Sequence, residues 1–253
     1  MNCPKTVMFD LDDTLNESLE PPKPEVLERL KRLLELIPIA IISGGSFYRI
    51  ERDILSAFAD LPRANYLYIL PNNAARCYVR EEKAWKLEYD FKLTVQERAS
   101  IIEEIGKAVD ETGVIEKDAV QRPEILDREA SVVWGAIGFQ ASALEKASWD
   151  PDLTKRTKLR DALLHRIPDF EVSIGGTIMI NITRKGINKA YGVQWFAQRL
   201  NIEPAGMLFV GDALYEGGND AVVIPTGIQT RQVAGPQETL EIIDELCAAC
   251  AVK

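Results

Sequence analysis

The chain has 253 residues, 46% of them hydrophobic and 27% charged, which is enough apolar material to bury a sizeable core in one large domain or two modest ones. Its 39 acidic side chains against 30 basic ones give a formal net charge of -9, so no broad face is basic, which argues against a nucleic-acid partner or an anionic membrane surface. No stretch approaches the roughly 18 to 20 apolar residues that span a bilayer, and Asp10, Asp12 and Asp13 stand where a signal peptide would be basic and then apolar, so a cytoplasmic protein is expected.

The first predicted element is a strand over Val7-Met8-Phe9, which delivers Asp10-Leu11-Asp12-Asp13-Thr14 to the carboxyl end of a parallel sheet, where open α/β folds bind ligands. Val26, Leu30, Leu33 and Leu34 then form one apolar stripe on a crossover helix that Pro38 ends. Ile39-Ala40-Ile41-Ile42 reads as a buried strand stopping at Ser43-Gly44-Gly45-Ser46. A helix with Phe47, Ile50 and Ile54 on one side follows, and Tyr66 to Ile69 is the next strand. This alternation is that of a doubly wound, Rossmann-like parallel sheet.

From about Ala75 the rhythm changes. Residues 76–79 and 84–87 flank a charged turn like a hairpin, and Thr94-Val95-Gln96-Glu97 is a capping box opening a helix. A strand over 131–137, a helix over 153–167 and two strands joined at Gly175-Gly176 complete an α+β block over residues 80–183. The α/β pattern resumes with a helix over 187–200, a buried strand over 207–210 that stops at Gly211-Asp212, another apolar run from Ala221, and a last helix from about Pro236. The expected organisation is an α/β core made of residues 1–79 and 184–253, interrupted by an inserted α+β cap domain. Cys3, Cys77, Cys247 and Cys250 show no framework spacing, and Cys247 and Cys250 read as two small residues on the terminal helix.

Four stretches converge on the carboxyl ends of the core strands: Asp10 with Asp12, Ser43, Lys189, and Gly211-Asp212 followed by Gly217-Gly218-Asn219-Asp220. Singly each has a plain structural reading: an acidic turn, a tight turn with Ser46 as helix cap, a solvated lysine, a flexible loop. Together, in this order, they resemble the four motifs of the haloacid dehalogenase superfamily of phosphotransferases. The resemblance implies Asp10 as nucleophile, Asp12 as acid and then base, Lys189 offsetting charge, and Ser43 donating to a phosphoryl oxygen, with Thr14, Gly44 and Gly45 in the same substrate site. It also implies Mg²⁺, held by Asp10, the Asp12 backbone carbonyl and Asp212, with Asn219 and Asp220 completing or orienting the shell. Physical chemistry asks for this mixture, because an anionic nucleophile meets an anionic ester only after charge is cancelled. His165, in a predicted helix, is not needed for this chemistry.

An insertion after the third strand resembles the type IIB caps of that superfamily. Ser43-Gly44-Gly45-Ser46, Pro71-Asn72-Asn73, Ser173-Ile174-Gly175-Gly176 and Phe209-Val210-Gly211-Asp212 resemble its phosphomannomutase-like branch. That implies a small phosphorylated metabolite, a sugar phosphate, as substrate, with Arg128 and Arg122 as cap cations on it, and pairing of two copies through their caps. Two positions depart from the mutases: Phe139 follows Ile137-Gly138 where they carry an arginine, and Asp13 replaces the common motif-one glycine. Phenylalanine cannot grip a second phosphate, so the expected activity is a Mg²⁺-dependent phosphatase. The alternative is a phosphomannomutase interconverting mannose 1-phosphate and mannose 6-phosphate, and the alternative of another class is a non-catalytic binding module.

Overall fold

The computed structural model describes residues 2–17, 20–116 and 122–251. Its strands are β1 (Thr6–Phe9), β2 (Ile39–Ile42), β3 (Leu67–Leu70), β4 (Arg76–Glu81), β5 (Ala84–Asp90), β6 (Glu124–Asp127), β7 (Val132–Gly135), β8 (Phe170–Gly175), β9 (Met179–Arg184), β10 (Met207–Gly211) and β11 (Gln229–Gln232). The helices are α1 (Pro24–Leu34), α2 (Phe47–Asp53), the single turn α3 (Pro71–Ala74), α4 (Val95–Thr112), α5 (Ala143–Trp149), α6 (Thr154–Arg166), α7 (Lys189–Leu200) and α8 (Pro236–Cys250). The chain divides into two units, Met1–Asp90 with Asn188–Lys253, and Phe91–Ile187. No helix among the described residues is long and apolar enough to cross a membrane.

The first unit is built on a sheet in the order β11-β10-β1-β2-β3-β4-β5, parallel from β11 to β3 and antiparallel from β3 to β5. Strands β1, β2, β3 and β10 are buried along their whole length, which is why they read as unbroken apolar runs. Alternate residues serve opposite faces. Val7, Phe9, Ile39 and Ile41 pack with Val26, Leu30 and Leu33 of α1 and with Ile243 and Leu246 of α8, whereas Met8, Ala40 and Ile42 pack with Val193 and Phe196 of α7. Burying such side chains stabilises by roughly 1.5–3 kcal/mol each, so the sheet centre, which carries the acidic loop, is held the most firmly.

The second unit is a four-stranded antiparallel sheet, β6-β7-β9-β8. Its core joins Val132, Trp134, Ile180 and Ile182 to Ile101 and Ile105 of α4 and Leu159 and Leu163 of α6. Trp134 is a core residue with its ring edge-on to Trp149 at 6.1 Å.

The structure corrects several sequence expectations. The hairpin belongs to the larger sheet, not to the inserted block: β4 pairs antiparallel with β3 through Ile69 and Tyr78, and the division falls at residues 90 and 187 in place of 80 and 183. The run from Ala221 is a 3-10 turn (Ala221–Thr226), and the next strand, β11, is wholly polar and exposed. Strand β6 and helix α5 were not expected. Cys250 is more than a small helix residue: it forms a disulfide with Cys3, Cα to Cα 4.9 Å, while Cys77 and Cys247 are buried free thiols.

Candidate active site

Beyond β1, Asp10 continues the ladder by donating its N–H to the Val210 carbonyl at 2.9 Å, which places its carboxyl group at the sheet's end, 5% exposed. The chain then turns back on itself. Leu15 and Asn16 N–H both donate to the Leu11 carbonyl, and Asp13, inside the turn they close, has φ 58°. Glycine reaches that left-handed conformation freely and aspartate at a cost, so the turn holds Asp13 where few side chains go. Thr14, fully buried, points its hydroxyl to Asp212 Oδ1 at 3.4 Å, tying the acidic loop to the end of β10.

Lys189 opens α7, whose start is capped by the Asn188 side chain accepting from the Ala190 and Tyr191 N–H groups. Its own side chain is 1% exposed and donates to Asp10 Oδ1 at 2.7 Å and to Asp220 Oδ1 at 2.6 Å. The other Asp220 oxygen accepts the Ala213 N–H at 3.2 Å. Gly211 makes room for this: a Cβ there would lie 2.3 Å from Asp220 Oδ2. Asp220 is therefore a buried carboxylate satisfied on both oxygens, spanning Lys189 and the β10 loop.

Oxygens of Asp10, Asp212 and Asp220 lie within 4.8 Å of one another. Three carboxylates around one ammonium carry an excess of negative charge in a low-dielectric site. Burial, helped by Asp220 and Asp212 and opposed by Lys189, raises the Asp10 pKa well above the usual carboxylate range. Burial and Asp220 push Asp212 up to about 6. For Lys189, burial works against the charge, but Asp10 and Asp220 outweigh it, so its pKa rises and it stays a cation. An oxygen-only donor set with a surplus of two negative charges suits a hard divalent cation.

Ser43 ends β2, buried, with its Oγ accepting the Gly45 N–H at 2.9 Å. The Ser43-Gly44-Gly45 loop rests on α3: Asn72 N–H donates to the Gly45 carbonyl and Asn73 N–H to the Ser43 carbonyl, at 2.9 and 2.8 Å. Asn72, Asn73 and Ala74 all have positive φ, 56°, 54° and 67°, so three consecutive non-glycine residues hold a left-handed turn beneath this loop. Such strain persists only where the surroundings over-determine it.

Asp10, Asp12, Thr14, Ser43, Gly44, Gly45, Lys189, Asp212, Asn219 and Asp220 all belong to the larger unit; Asn219 is half-buried beside Asp220. Arg122 and Arg128 belong to the smaller one, at the two ends of β6, the first exposed and the second half-buried. Also in that unit, Phe139 lays its ring over Gly135, where a Cβ would meet it at 2.7 Å, while Glu124 and Lys146 pin its N–H and carbonyl. Sequence reasoning missed Arg49, which forms a two-pronged ion pair with Asp12 through Nη1 to Oδ2 at 2.8 Å and Nη2 to Oδ1 at 2.6 Å. Its signal was weak: a cation three residues past the Ser46 helix cap.

The eukaryotic phosphomannomutase family model matches residues 26–249. Curated relatives include a phosphomannomutase of Spinacia oleracea, 21% identical over 246 residues with 94% of each chain covered, and phosphomannomutase 2 of Dictyostelium discoideum, 22% identical over 250 residues with the same coverage. Among solved structures, the fold is similar to IMP-bound Plasmodium falciparum IMP-nucleotidase (TM-score 0.72, 16% identity, 97% of this chain and 68% of that one). It is also similar to the C-terminal domain of C. albicans trehalose-6-phosphate phosphatase (TM-score 0.63, 15% identity, 96% and 92%). The fold is the haloacid dehalogenase α/β fold with a cap domain, and the protein is a phosphotransferase or phosphatase of that superfamily. With its motif order, acid cluster and a family match along most of its length, the chain belongs to the eukaryotic phosphomannomutase family.

Proposed function

We propose that the protein transfers the phosphoryl group of a hexose phosphate through an aspartyl phosphate on Asp10, as a phosphomannomutase. The observation that carries the chemistry is the buried Lys189 bridging Asp10 and Asp220 beside Asp212. In the first half-reaction an Asp10 oxygen attacks phosphorus, the bond to the sugar oxygen breaks, and Asp12 delivers a proton to that oxygen. In the second, Asp12 takes the proton from an incoming hydroxyl as that oxygen attacks the same phosphorus and frees Asp10. Lys189 keeps Asp10 in position and offsets its charge, and Ser43 donates to a phosphoryl oxygen. Mg²⁺, when bound by Asp10, Asp212 and the Asp12 carbonyl with Asn219 and Asp220 in support, supplies the remaining charge neutralisation.

The family match over residues 26–249 reverses the order in which the sequence ranks mutase and phosphatase. Phe139 supports hydrolysis as the second reading, since an apolar ring packed on Gly135 offers nothing to a second phosphate. Incubation with Mg²⁺ and mannose 1-phosphate, with and without a hexose bisphosphate, separates the two. Mannose 6-phosphate formation that depends on the bisphosphate is expected. Phosphate release without isomer formation would replace the mutase by the phosphatase, and inactivity across a panel of phosphate esters would overturn both.

A further inference from the structure

Arg49 lies in the first turn of α2, where its N–H is taken by the Ser46 side-chain oxygen that caps the helix. Its guanidinium reaches back to the acidic loop and takes both oxygens of Asp12, the fork-to-fork geometry that fixes a carboxylate's direction as well as its place. The pair is sheltered, with Arg49 and Asp12 side chains 16% and 21% exposed, so its geometry is not that of a loose surface contact. Two further contacts brace it: Asp53, one turn on, lies 3.8 Å from Arg49 Nε, and Asn16 Nδ2 lies 3.3 Å from Asp12 Oδ1. The guanidinium also borders the Ser43 loop, since a Cβ on Gly45 would sit 3.7 Å from Arg49 Nη1 and 3.1 Å from Ser43 Oγ.

Asp12 needs this restraint. It stands on an irregular loop beside Asp13, whose backbone is left-handed, and Arg49 holds both of its oxygens while Asn16 reaches one of them. We infer that Arg49 is the positioning residue for Asp12: it holds the carboxylate where one oxygen, released from the fork, meets the oxygen that leaves phosphorus. This rests on Asp12 being the proton donor of the proposed reaction. Arg49 acts through Asp12 and not on the phosphoryl group, so its loss should matter only where a proton must be delivered.

Single-turnover phosphorylation of the Mg²⁺-loaded enzyme, followed by release of the leaving group, tests this with two esters: a hexose bisphosphate, whose sugar alkoxide needs a proton, and 4-nitrophenyl phosphate, whose phenolate does not. Arg49→Ala should slow the first by at least about tenfold and the second by less than about twofold, with the half-saturating concentration of the bisphosphate little changed. Arg49→Lys, which keeps the charge but loses the fork, should recover only part of the rate. Asp12→Asn should show the same split between esters, and Arg49→Ala added to it should cost nothing more. If Asp12→Asn shows the split and Arg49→Ala slows both esters equally, Arg49 is a phosphate ligand or a scaffold residue and the inference is wrong. If Asp12→Asn shows no split, the reading of Asp12 as proton donor fails first. Should Arg49→Ala not fold, Arg49→Lys carries the same comparison between esters.

Discussion

The two units each bury charge, and they balance it in opposite ways. In the smaller unit Arg156 and Asp150, 3% and 1% exposed, form a closed account: one cation, one anion, with the Asp150 oxygens also taking the Lys155 and Arg156 N–H groups and the guanidinium reaching the Gly176 and Asp150 carbonyls. In the larger unit Lys189 faces three carboxylates, and burial, with the like charges added to it, raises the pKa of Asp10 and Asp212. A satisfied one-to-one pair organises a fold, here the loop from α5 into α6. A surplus of like charge around a single cation is unstable by itself, and the cation and phosphoryl group of the proposed reaction would complete it.

The sharpest way to break that contrast is to remove one charge from each site. Asp10→Asn should lower turnover by at least about 10³-fold while leaving the metal-free protein as stable as before or more so, because it relieves the surplus. Thermal unfolding beside a turnover assay checks both halves. Arg156→Ala should do the reverse, destabilising the smaller unit by about 3–5 kcal/mol through an unpaired buried carboxylate, measured by denaturant unfolding. Equal stability losses in the two variants would erase the distinction between the sites.

A smaller effect follows from the titration of Asp212. Its folded pKa of about 6 lies above that of an unfolded aspartate, about 3.9, so between these values the folded state holds more protons. The metal-free protein should therefore lose stability as pH rises through that window, and a cation should restore it once the carboxylates are ionised. Mg²⁺ is expected to raise the unfolding temperature more at pH 7.5 than at pH 5. An equal rise at both would remove Asp212 from the cation site. Smallest of all, Arg128→Ala should raise KM for mannose 6-phosphate several-fold more than for 4-nitrophenyl phosphate. An equal change on both esters would separate Arg128 from sugar recognition.

The sequence exposed the parts of the molecule whose residue types are forced by burial or chemistry. Strands β1, β2, β3 and β10 are buried on both faces and must be apolar throughout, so the ends that carry Asp10, Ser43 and Asp212 could be located. Edge strands have no such constraint. Gln229–Gln232 pairs with β10 on one side only and is fully polar, and Glu124–Asp127 is mostly exposed, so neither leaves an alternating pattern. The hairpin β4-β5 was visible as a hairpin, but which sheet it joins depends on the pairing of Ile69 with Tyr78, which local patterning does not encode. Arg49 and the Cys3–Cys250 bond escaped for a related reason: each joins residues far apart in the chain, 37 and 247 positions, without a motif to link them.

In the proposed reaction Asp10 carries the phosphoryl group. Rapid acid quench of the Mg²⁺-loaded enzyme during turnover of a hexose phosphate, borohydride reduction of the acyl phosphate and peptide mass spectrometry would locate it. The reduced residue is expected at position 10 alone and absent in Asp10→Asn. A phosphorylated residue elsewhere, or undiminished turnover with no acyl phosphate at any aspartate, would contradict it.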